Sequence, residues 1–366
     1  MNGPALVPVA TMRAFTETAF CRLGTPVEDA RLFADVLLRS DLRGIESHGI
    51  GRLHVYVERY RKGMLSPVTT LDVVREGPTT AVLDGHHGVG PVIAVRAMRM
   101  AMEKARAFGL GAVAVRNSSH FGIAGYYPLM AVADGQVGLA VTNARPSVFP
   151  TFGSEPMLGT NPIAFGAPTD EPCPFLFDAA TSAVPRGKLE VASRAGQSMP
   201  EGWAATSDGR PSTDTDAVLA GIDAGAYGLL PLGGWGEILG GHKGYGLATM
   251  VEILSASLQA GPFLKDLASA GADGSARKQA IGHFFFALDV AAFEDLDAFR
   301  KRTGDILRAL RSSKPLGGER IYTAGEKEWE NEQRVLSRGI PVNRKLQQAL
   351  AGVRDLLAIE EPRLPF

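Results

Sequence analysis

Residues 88–117 read GVGPVIAVRAMRMAMEKARAFGLGAVAVRN, and this stretch decides the fold class of the chain. Apolar residues recur at helical spacing as far as Phe108, whereas the run after Gly109 is short, apolar and rich in valine. A helix that leads directly into a buried strand is part of a crossover connection between strands of one sheet. The stretch therefore predicts an α/β domain.

Short, β-rich apolar runs flank this stretch on both sides. They are TTAVLDG (79–85), QVGLAVTN (136–143), PIAFGAP (162–168) and FLFDAA (175–180). Several end in Gly, Asn or Asp, and helical patterns such as YYPLMAVADG (126–135) separate them. The predicted fold class for residues 71–304 is therefore α/β, built on a mixed, buried sheet.

Both ends of the chain carry helical patterns with an apolar stripe and a charged face. The N-terminal ones are VATMRAFTETAFCRL and VEDARLFADVLLRSDLRGI, and the C-terminal ones are LDAFRKRTGDILRALR and NRKLQQALAGVRDLL. The simplest packing joins the two ends, so we predict a helical domain made of residues 1–70 and 305–366. The Gly- and Ala-rich segment 260–280, which contains SAGADGSARK, is predicted to be a surface loop.

Composition and charge exclude several classes of partner. The 366 residues are 45% hydrophobic and carry 38 basic side chains against 39 acidic ones. This balance provides no cationic field for nucleic acid or anionic lipid, so neither is expected to bind. The two cysteines, Cys21 and Cys173, lie too far apart in sequence to suggest a metal or redox pair. The cytoplasm is the expected location, because no leader pattern or membrane-length apolar run is visible.

The glycines of residues 108–114, FGLGAVA, satisfy the dinucleotide fingerprint G-x-G-x-x-A only as a string of letters. A functional fingerprint leaves a strand and opens a helix, so that the pyrophosphate meets free helix N–H groups. This stretch leaves a helix and opens a strand. It therefore favours a glycine that ends a helix before a buried strand, and not a Rossmann site.

A second glycine-rich stretch, residues 232–254, has a different character. Gly240, Gly241, His242, Lys243 and Gly244 immediately precede a predicted amphipathic helix. Backbone N–H groups, the positive end of the helix dipole and an ammonium group would meet there, which is the outline of an anion site. It is not a P-loop, because Lys243 is followed by Gly. The alternative is a flexible loop with a solvated lysine.

His48 lies at a spacing that suits proton transfer on an acid substrate. Arg52 follows it by four residues, and residues four apart share a helix face. A guanidinium group binds a carboxylate by two contacts, while an imidazole moves a proton at the C2 oxygen of a 2-oxo acid. The alternative is a helix-capping Ser47 beside a surface histidine and a surface ion pair.

Two further polar sites are ambiguous in sequence. Asp178 ends an apolar strand, where it would either orient His48 or cap the next helix. The adjacent His86 and His87 would face different ways, so they indicate a turn and not a metal site. No metal is expected anywhere in the chain.

Several blocks of the sequence, taken in order, resemble one family. They are DLRGIESHGIGRLHVY (41–56), RNSSHFGIAGYY (116–127), GTNPIAFGAP (159–168), FDAATSAVPRGKLEVASRAGQSMPEGWA (177–204), GGHKGYGLATMVEIL (240–254), GHFFFALDV (282–290) and AGEKEWE (324–330). The family is the non-Rossmann malate/L-lactate dehydrogenase family. It also includes sulfolactate and ureidoglycolate dehydrogenases, diketogulonate reductase and cyclic-imine carboxylate reductases.

The resemblance implies a homodimer whose α/β domain binds NADH or NADPH without the G-x-G-x-x-G fingerprint. The implied reaction is hydride transfer between the nicotinamide and a small 2-oxo acid or 2-hydroxy acid of the malate, lactate or sulfolactate type. One alternative is a cyclic-imine carboxylate reductase on the same fold. Another is a non-catalytic protein that binds small anions.

The resemblance also implies roles for individual residues. His48 matches the proton donor, Ser47 and Asp178 match its orienting partners, and Arg52 matches the carboxylate clamp in the helical domain. Substrate-pocket positions are matched by Arg52, His120, Thr160 and Asn161. Cofactor-binding positions are matched by His120, Leu176, Phe177, Asp178, Ala180, Thr181, Ser182, His242, Lys243, Gly325, Glu326 and Lys327. Arg186, Lys188 and Arg194 would either meet a 2′-phosphate, favouring NADPH, or remain solvated, so the cofactor choice stays open.

Overall fold

The structure, a computed structural model, describes residues 4–268 and 277–366. Its helices are α1 (Val9–Arg22), α2 (Val27–Leu42), α3 (Leu53–Arg61), α4 (Gly90–Phe108), α5 (Tyr126–Ala133), α6 (Arg186–Ala195), α7 (Thr215–Gly221), α8 (Gly241–Ala256), α9 (Leu296–Arg311), α10 (Glu326–Arg338) and α11 (Arg344–Leu356). Short 3-10 helices span Ile50–Arg52, Leu264–Leu267 and Val290–Ala292. Most of the SAGADGSARK part of the predicted surface loop lies outside the described residues.

The strands form one large sheet and two small ones. They are β1 (Ala5–Val7), β2 (Asp72–Glu76), β3 (Thr80–Asp84), β4 (Leu110–Ser118), β5 (Gln136–Thr142), β6 (Ile163–Ala167), β7 (Phe175–Ala179), β8 (Ala204–Thr206), β9 (Pro211–Ser212), β10 (Tyr227–Leu229), β11 (Ile281–Asp289) and β12 (Ile340–Val342). The large sheet has seven strands in the order β2-β3-β4-β11-β5-β6-β7. The predicted α/β class with a mixed sheet is confirmed.

The helix α4 makes the crossover between the parallel strands β3 and β4. It ends at Gly109, whose φ of 87° is left-handed, and β4 then begins at Leu110. A Cβ on Gly111 would lie 2.0 Å from the carbonyl oxygen of Ala101, so α4 and β4 pack too closely for any side chain there. The interpretation of the 108–114 glycines as a helix end before a strand is confirmed.

The two ends of the chain pack against each other. The strand β1 pairs antiparallel with β12. One apolar core contains Phe15, Phe20 and Phe33 from the N-terminal helices together with Val335 and Leu350 from the C-terminal ones. The predicted domain limit between residues 304 and 305 falls inside the continuous helix α9, and the domain division stays a prediction.

A smaller sheet, β10-β8-β9, packs with α6 and α7 beside the large sheet. Its core includes Leu189 of α6, Val218 of α7 and Leu229 of β10. The helix α8 begins at Gly241, one turn earlier than the sequence predicted, so His242 and Lys243 lie in its first turn. The reason is close packing: a Cβ on Gly244 would lie 2.2 Å from the carbonyl oxygen of Leu232.

Within the described ranges, 4–268 and 277–366, no helix has both the length and the apolar character needed to cross a membrane.

The central strand β11 provides a test of the fold. Phe285 of β11 is fully buried between α4 and the sheet, so Phe285→Ala should lower the free energy of unfolding by about 3–5 kcal/mol. Urea unfolding monitored by circular dichroism measures the loss. Phe293→Ala is the matched control, because Phe293 is 70% exposed. Equal stability of the two variants would contradict a buried central strand.

Candidate active site

The loop between α2 and α3 carries Ser47 and His48. The Ser47 hydroxyl lies 2.9 Å from Nδ1 of His48 and holds the imidazole ring in place. The ring stacks on His120, with the two centroids 5.4 Å apart and the planes inclined by 21°. Two histidines from distant parts of the chain, one from the loop before α3 and one from the loop after β4, therefore meet in one site.

The hydrogen bonds of His120 determine its tautomer. Its Nδ1 accepts the backbone N–H of Gly122 at 3.3 Å, so this nitrogen carries no proton. The Tyr56 hydroxyl, 2.6 Å from the same Nδ1, must then be a donor. The proton of the neutral ring consequently lies on Nε2, which is a hydrogen-bond donor.

Burial keeps both imidazoles neutral at neutral pH. Burial and the positive charge of Arg52 lower the pKa of His48 to about 4. Burial, followed by the effect of His48 itself, lowers the pKa of His120 well below its usual value. In this state His48 is ready to accept a proton, and an anion that neutralised Arg52 would raise the pKa of His48 again.

The guanidinium group of Arg52 folds back towards the His48 loop. Its Nε donates to the carbonyl oxygen of Ser47 at 2.7 Å, and its Nη2 lies 2.8 Å from the Glu190 carboxylate of α6. Gly187, also on α6, allows this contact, because a Cβ there would lie 2.9 Å from Nη2 of Arg52. Arg52 is thus fixed beside His48 at the junction of α3 and α6.

Further positive charge surrounds this junction. We call it the arginine cluster, and it consists of Arg52, Arg59, Arg145 and Arg186. Asp223 accepts hydrogen bonds of 2.8 and 3.2 Å from Arg186, and lies 3.6 Å from Arg145. Glu190 pairs with Arg52 and Arg186, and Asp223 pairs with Arg145 and Arg186, whereas among the described residues no carboxylate pairs with Arg59. Burial and the neighbouring Arg186 accordingly lower the pKa of Arg145.

Two adjoining cavities lie next to the histidines. The first, of about 500 Å³, is lined by residues that include Ser47, His48, Thr160, Asp178, Ala180 and Lys188. The second, of about 260 Å³, is lined by residues that include Arg43, Leu176, Phe177, Tyr322, Gly325 and Lys327. The walls of both contain Ile45, Ile123, Asp178 and Glu328, so the two form one elongated cleft.

Asp178 stands where the two cavities meet. Its carboxylate accepts the backbone N–H of Gly125 at 2.7 Å, and burial raises its pKa to about 6. No hydrogen bond joins it to His48 among the described residues. The predicted role as an orienting partner of His48 therefore stays a prediction, although both residues line the first cavity.

The second cavity has features that fit a dinucleotide. Gly325 has a φ of 95°, and its Cα approaches the backbone of Leu176 so closely that a Cβ would lie 3.1 Å from the Leu176 carbonyl oxygen. Arg43 and Lys327 bring positive charge, and within the described residues the buried Nε of Arg43 has no hydrogen-bond partner. A glycine cradle with cations beside it fits a phosphate-bearing ligand.

Other candidate residues point elsewhere. Asn161 donates to Glu252 and to the carbonyl oxygen of Ala248, so its side chain faces α8 and not the cleft. Glu326 pairs with Arg311 at 2.6 Å. The hydroxyl groups of Thr181 and Ser182 donate to backbone carbonyls. His242 and Lys243 are exposed on α8 and line neither cavity. For these residues the ligand contacts stay predictions.

Sequence reasoning missed Tyr56 and two members of the arginine cluster, Arg59 and Arg145. Tyr56 lies four residues after Arg52 and eight after His48, so the same helical spacing that pointed to Arg52 would have found it. Arg145 lies in an irregular loop after β5 and meets the cluster through tertiary packing alone. Among the described residues, no group of three or more His, Cys, Asp or Glu side chains could hold a metal ion.

Comparison with known proteins places the chain among its relatives. Residues 7–351 match the family described as malate/L-lactate dehydrogenase. A malate dehydrogenase of Pyrococcus abyssi is 45% identical over 345 residues, which cover 94% of this chain and 92% of the relative. A malate/(S)-sulfolactate dehydrogenase of Methanothermus fervidus is 36% identical over 341 residues, with 92% and 94% covered.

The solved structures agree. The crystal structure of malate dehydrogenase from Entamoeba histolytica superimposes with a TM-score of 0.96 at 42% sequence identity, and the match covers 99% of this chain and 100% of that one. Matches of this extent take in both ends of the chain, the large sheet and the loops that carry His48 and His120. This protein therefore belongs to the malate/L-lactate dehydrogenase family.

Proposed function

We propose that this protein is a nicotinamide-dependent dehydrogenase that interconverts a small 2-hydroxy acid with a second anionic group and the corresponding 2-oxo acid. The observation that carries the proposal is the position of His48: it lines one end of a cleft whose other end is lined by cations, and it stacks on His120 and lies beside Arg52. The dehydrogenase names of the relatives support it.

Each residue of the pair has a distinct role in the proposal. His48, neutral because of burial and Arg52, accepts the hydroxyl proton when the hydroxy acid is oxidised and returns it in the reverse direction. His120 donates a hydrogen bond from Nε2 to the C2 oxygen and keeps its proton, so it stays neutral. Arg52 binds the C1 carboxylate, which offsets the charge of Arg52 and raises the pKa of His48 as the substrate binds.

The cofactor site in the proposal is the elongated cleft. A bound nicotinamide supplies or accepts the hydride, and Ala180 and Asp178 would line its ring end while Gly325 and Lys327 would line its phosphate end. An absorbance assay with each reduced cofactor decides between NADH and NADPH. Arg186 pairs with Asp223, whereas Lys188 lies over the ring of Trp203, so both already have partners.

The arginine cluster supports a substrate with a second anionic group. Malate and sulfolactate each carry an acidic group beyond the C1 carboxylate. Arg59 and Arg145 are half-buried cations with little carboxylate pairing of their own, which is a costly arrangement unless an anion completes it. A cyclic-imine carboxylate has no second anionic group, so the cluster favours the hydroxy acid over the imine.

The first test is an absorbance assay at 340 nm, the nicotinamide band. We expect oxidation of NADH or NADPH with oxaloacetate or sulfopyruvate, and His48→Ala should lower kcat by about 100- to 10,000-fold. His54→Ala, an exposed histidine on α3, is the matched control. Normal turnover by the His48 variant would refute the mechanism, and faster reduction of a cyclic imine would refute the substrate class.

The second test concerns substrate charge. Arg145→Gln should raise KM for oxaloacetate about tenfold or more while leaving KM for pyruvate nearly unchanged, because only oxaloacetate has a second carboxylate. Arg52→Ala should raise KM for both. Arg106→Gln, in an exposed pair with Asp134, is the control. Equal effects of Arg145→Gln on both substrates would contradict the assignment.

We also propose that the protein is a homodimer in solution, with α8 in the interface. Tyr245 and Ile253 of this helix are 36% and 54% exposed and border an apolar groove of about 340 Å³, and Met250 on the same helix is 42% exposed. The net charge of −1 puts almost no repulsion between two copies.

The cytoplasm is the proposed location, and the free cysteines Cys21 and Cys173 fit a reducing compartment.

Light scattering after size exclusion tests the dimer. The expected mass is twice the 38.8 kDa of one chain. Ile253→Glu should shift the protein towards monomer, because it buries a charge in an apolar interface. Ile306→Glu, 56% exposed on α9, should leave the mass unchanged. A monomeric wild-type protein would overturn the proposal.

A further inference from the structure

A buried carboxyl group without a cation lies just behind the His48 loop. Asp41, in the last turn of α2, is only 8% exposed. Two other buried acids have arginine partners: Asp29 pairs with Arg96 at 2.6 Å, and Asp84 pairs with Arg116 at 2.8 Å. Within the described residues no salt bridge reaches Asp41. Burying an acid without a cationic partner costs free energy, so the contacts that Asp41 makes call for a specific role.

The carboxyl group of Asp41 contacts the two residues that follow His48. Its Oδ2 accepts the backbone N–H of Ile50 at 2.7 Å. Its carboxyl group also packs flat against Gly49, where a Cβ would lie between 2.1 and 2.4 Å from the carboxyl atoms. No other residue type fits at position 49 without displacing one of the two partners.

These contacts close the loop that carries the catalytic candidates. Ile50 opens the helical segment that continues into α3, so its N–H is one of the free donors at a helix start. Residues 44–48 of the same loop line the first cavity, whereas Asp41 does not. The carboxyl group therefore acts on the cleft only through the backbone, by setting where the loop enters α3.

We infer that Asp41 is a positioning residue for His48: by binding the Ile50 amide and packing on Gly49, it sets the place of the imidazole opposite His120. The inference rests on the proposed function, since it gives His48 the proton-transfer role. The His48 ring itself stacks on His120 and is hydrogen-bonded to Ser47. Without Asp41, the Ile50 amide would lose its acceptor and the loop would shift relative to His120.

The protonation state of Asp41 determines the choice of variants. Burial raises the pKa of Asp41 to about 8, with the Ile50 amide opposing that shift. At neutral pH the carboxyl group is therefore largely neutral. The side-chain amide of asparagine has the same shape and still offers an acceptor oxygen to the Ile50 amide. Asp41→Asn should keep kcat within about threefold of wild type, whereas Asp41→Ala should lower kcat at least tenfold with the cofactor KM unchanged.

The experiment compares these variants with two others in the full-length protein. Gly49→Ala tests the same contact without removing the acid, and should also lower kcat at least tenfold. This variant keeps the inference testable if Asp41→Ala fails to fold. Asp29→Ala removes a buried acid at the other end of α2, and should lower thermal stability while kcat stays within twofold. A folded Asp41→Ala or Gly49→Ala protein with normal kcat, or equal losses in Asp41→Asn and Asp41→Ala, would overturn the inference.

A readout that does not need turnover separates this inference from the proposed function. With histidine labelled at Cε1, the NMR signal of His48, assigned through His48→Gln, should shift in Asp41→Ala and stay in place in Asp29→Ala. If wild-type protein oxidises no reduced nicotinamide but the signal shifts, the proposed function fails and the positioning contact stands. If the wild-type protein turns over normally but the His48 signal does not shift in Asp41→Ala, the positioning inference fails and the proposed function stands.

Discussion

The insertion of β11 between β4 and β5 is the constraint on which the rest of the structure depends. Its residues pair antiparallel with both neighbours, so it joins two halves of the large sheet. At its start His283 bonds Ser118 and Thr142, each at 2.8 Å, and burial keeps this imidazole neutral. Because β4 leads into the loop of His120 and β5 leads into the loop of Arg145, the same contacts set the positions of both loops.

The paired histidines His48 and His120 combine burial with nearby positive charge. Burial alone would favour neutral histidines, and the arginine cluster reinforces that preference by making a further positive charge unfavourable. In the proposed function, a bound dianion would reverse the second effect without altering the first. Substrate charge and the proton affinity of His48 would then be coupled through electrostatics.

Local patterns were sufficient for most of the fold. The helices α1, α2, α4, α9 and α11 and the strands β3 to β7 lie where periodicity and turn residues predicted them. The predicted start of α8 was wrong by one turn, because the close packing of Gly244 on Leu232 extends the helix into the glycines. The run at 282–290 was apolar but its place at the centre of the sheet was not predictable, since strand order depends on partners far away in sequence.

The sequence by itself determined the elements, the absence of a Rossmann fingerprint at Gly109 and the local grouping of Ser47, His48 and Arg52. These features are set within a few residues by period, φ preference and spacing. Only the tertiary structure decided that Tyr56 and the Gly122 amide donate to Nδ1 of His120 and so leave its proton on Nε2. It also decided that Asn161 turns towards α8 and that Asp41 braces the His48 loop. Such contacts join residues whose separation along the chain carries no information about distance in space until the sheet and the packed chain ends bring them together.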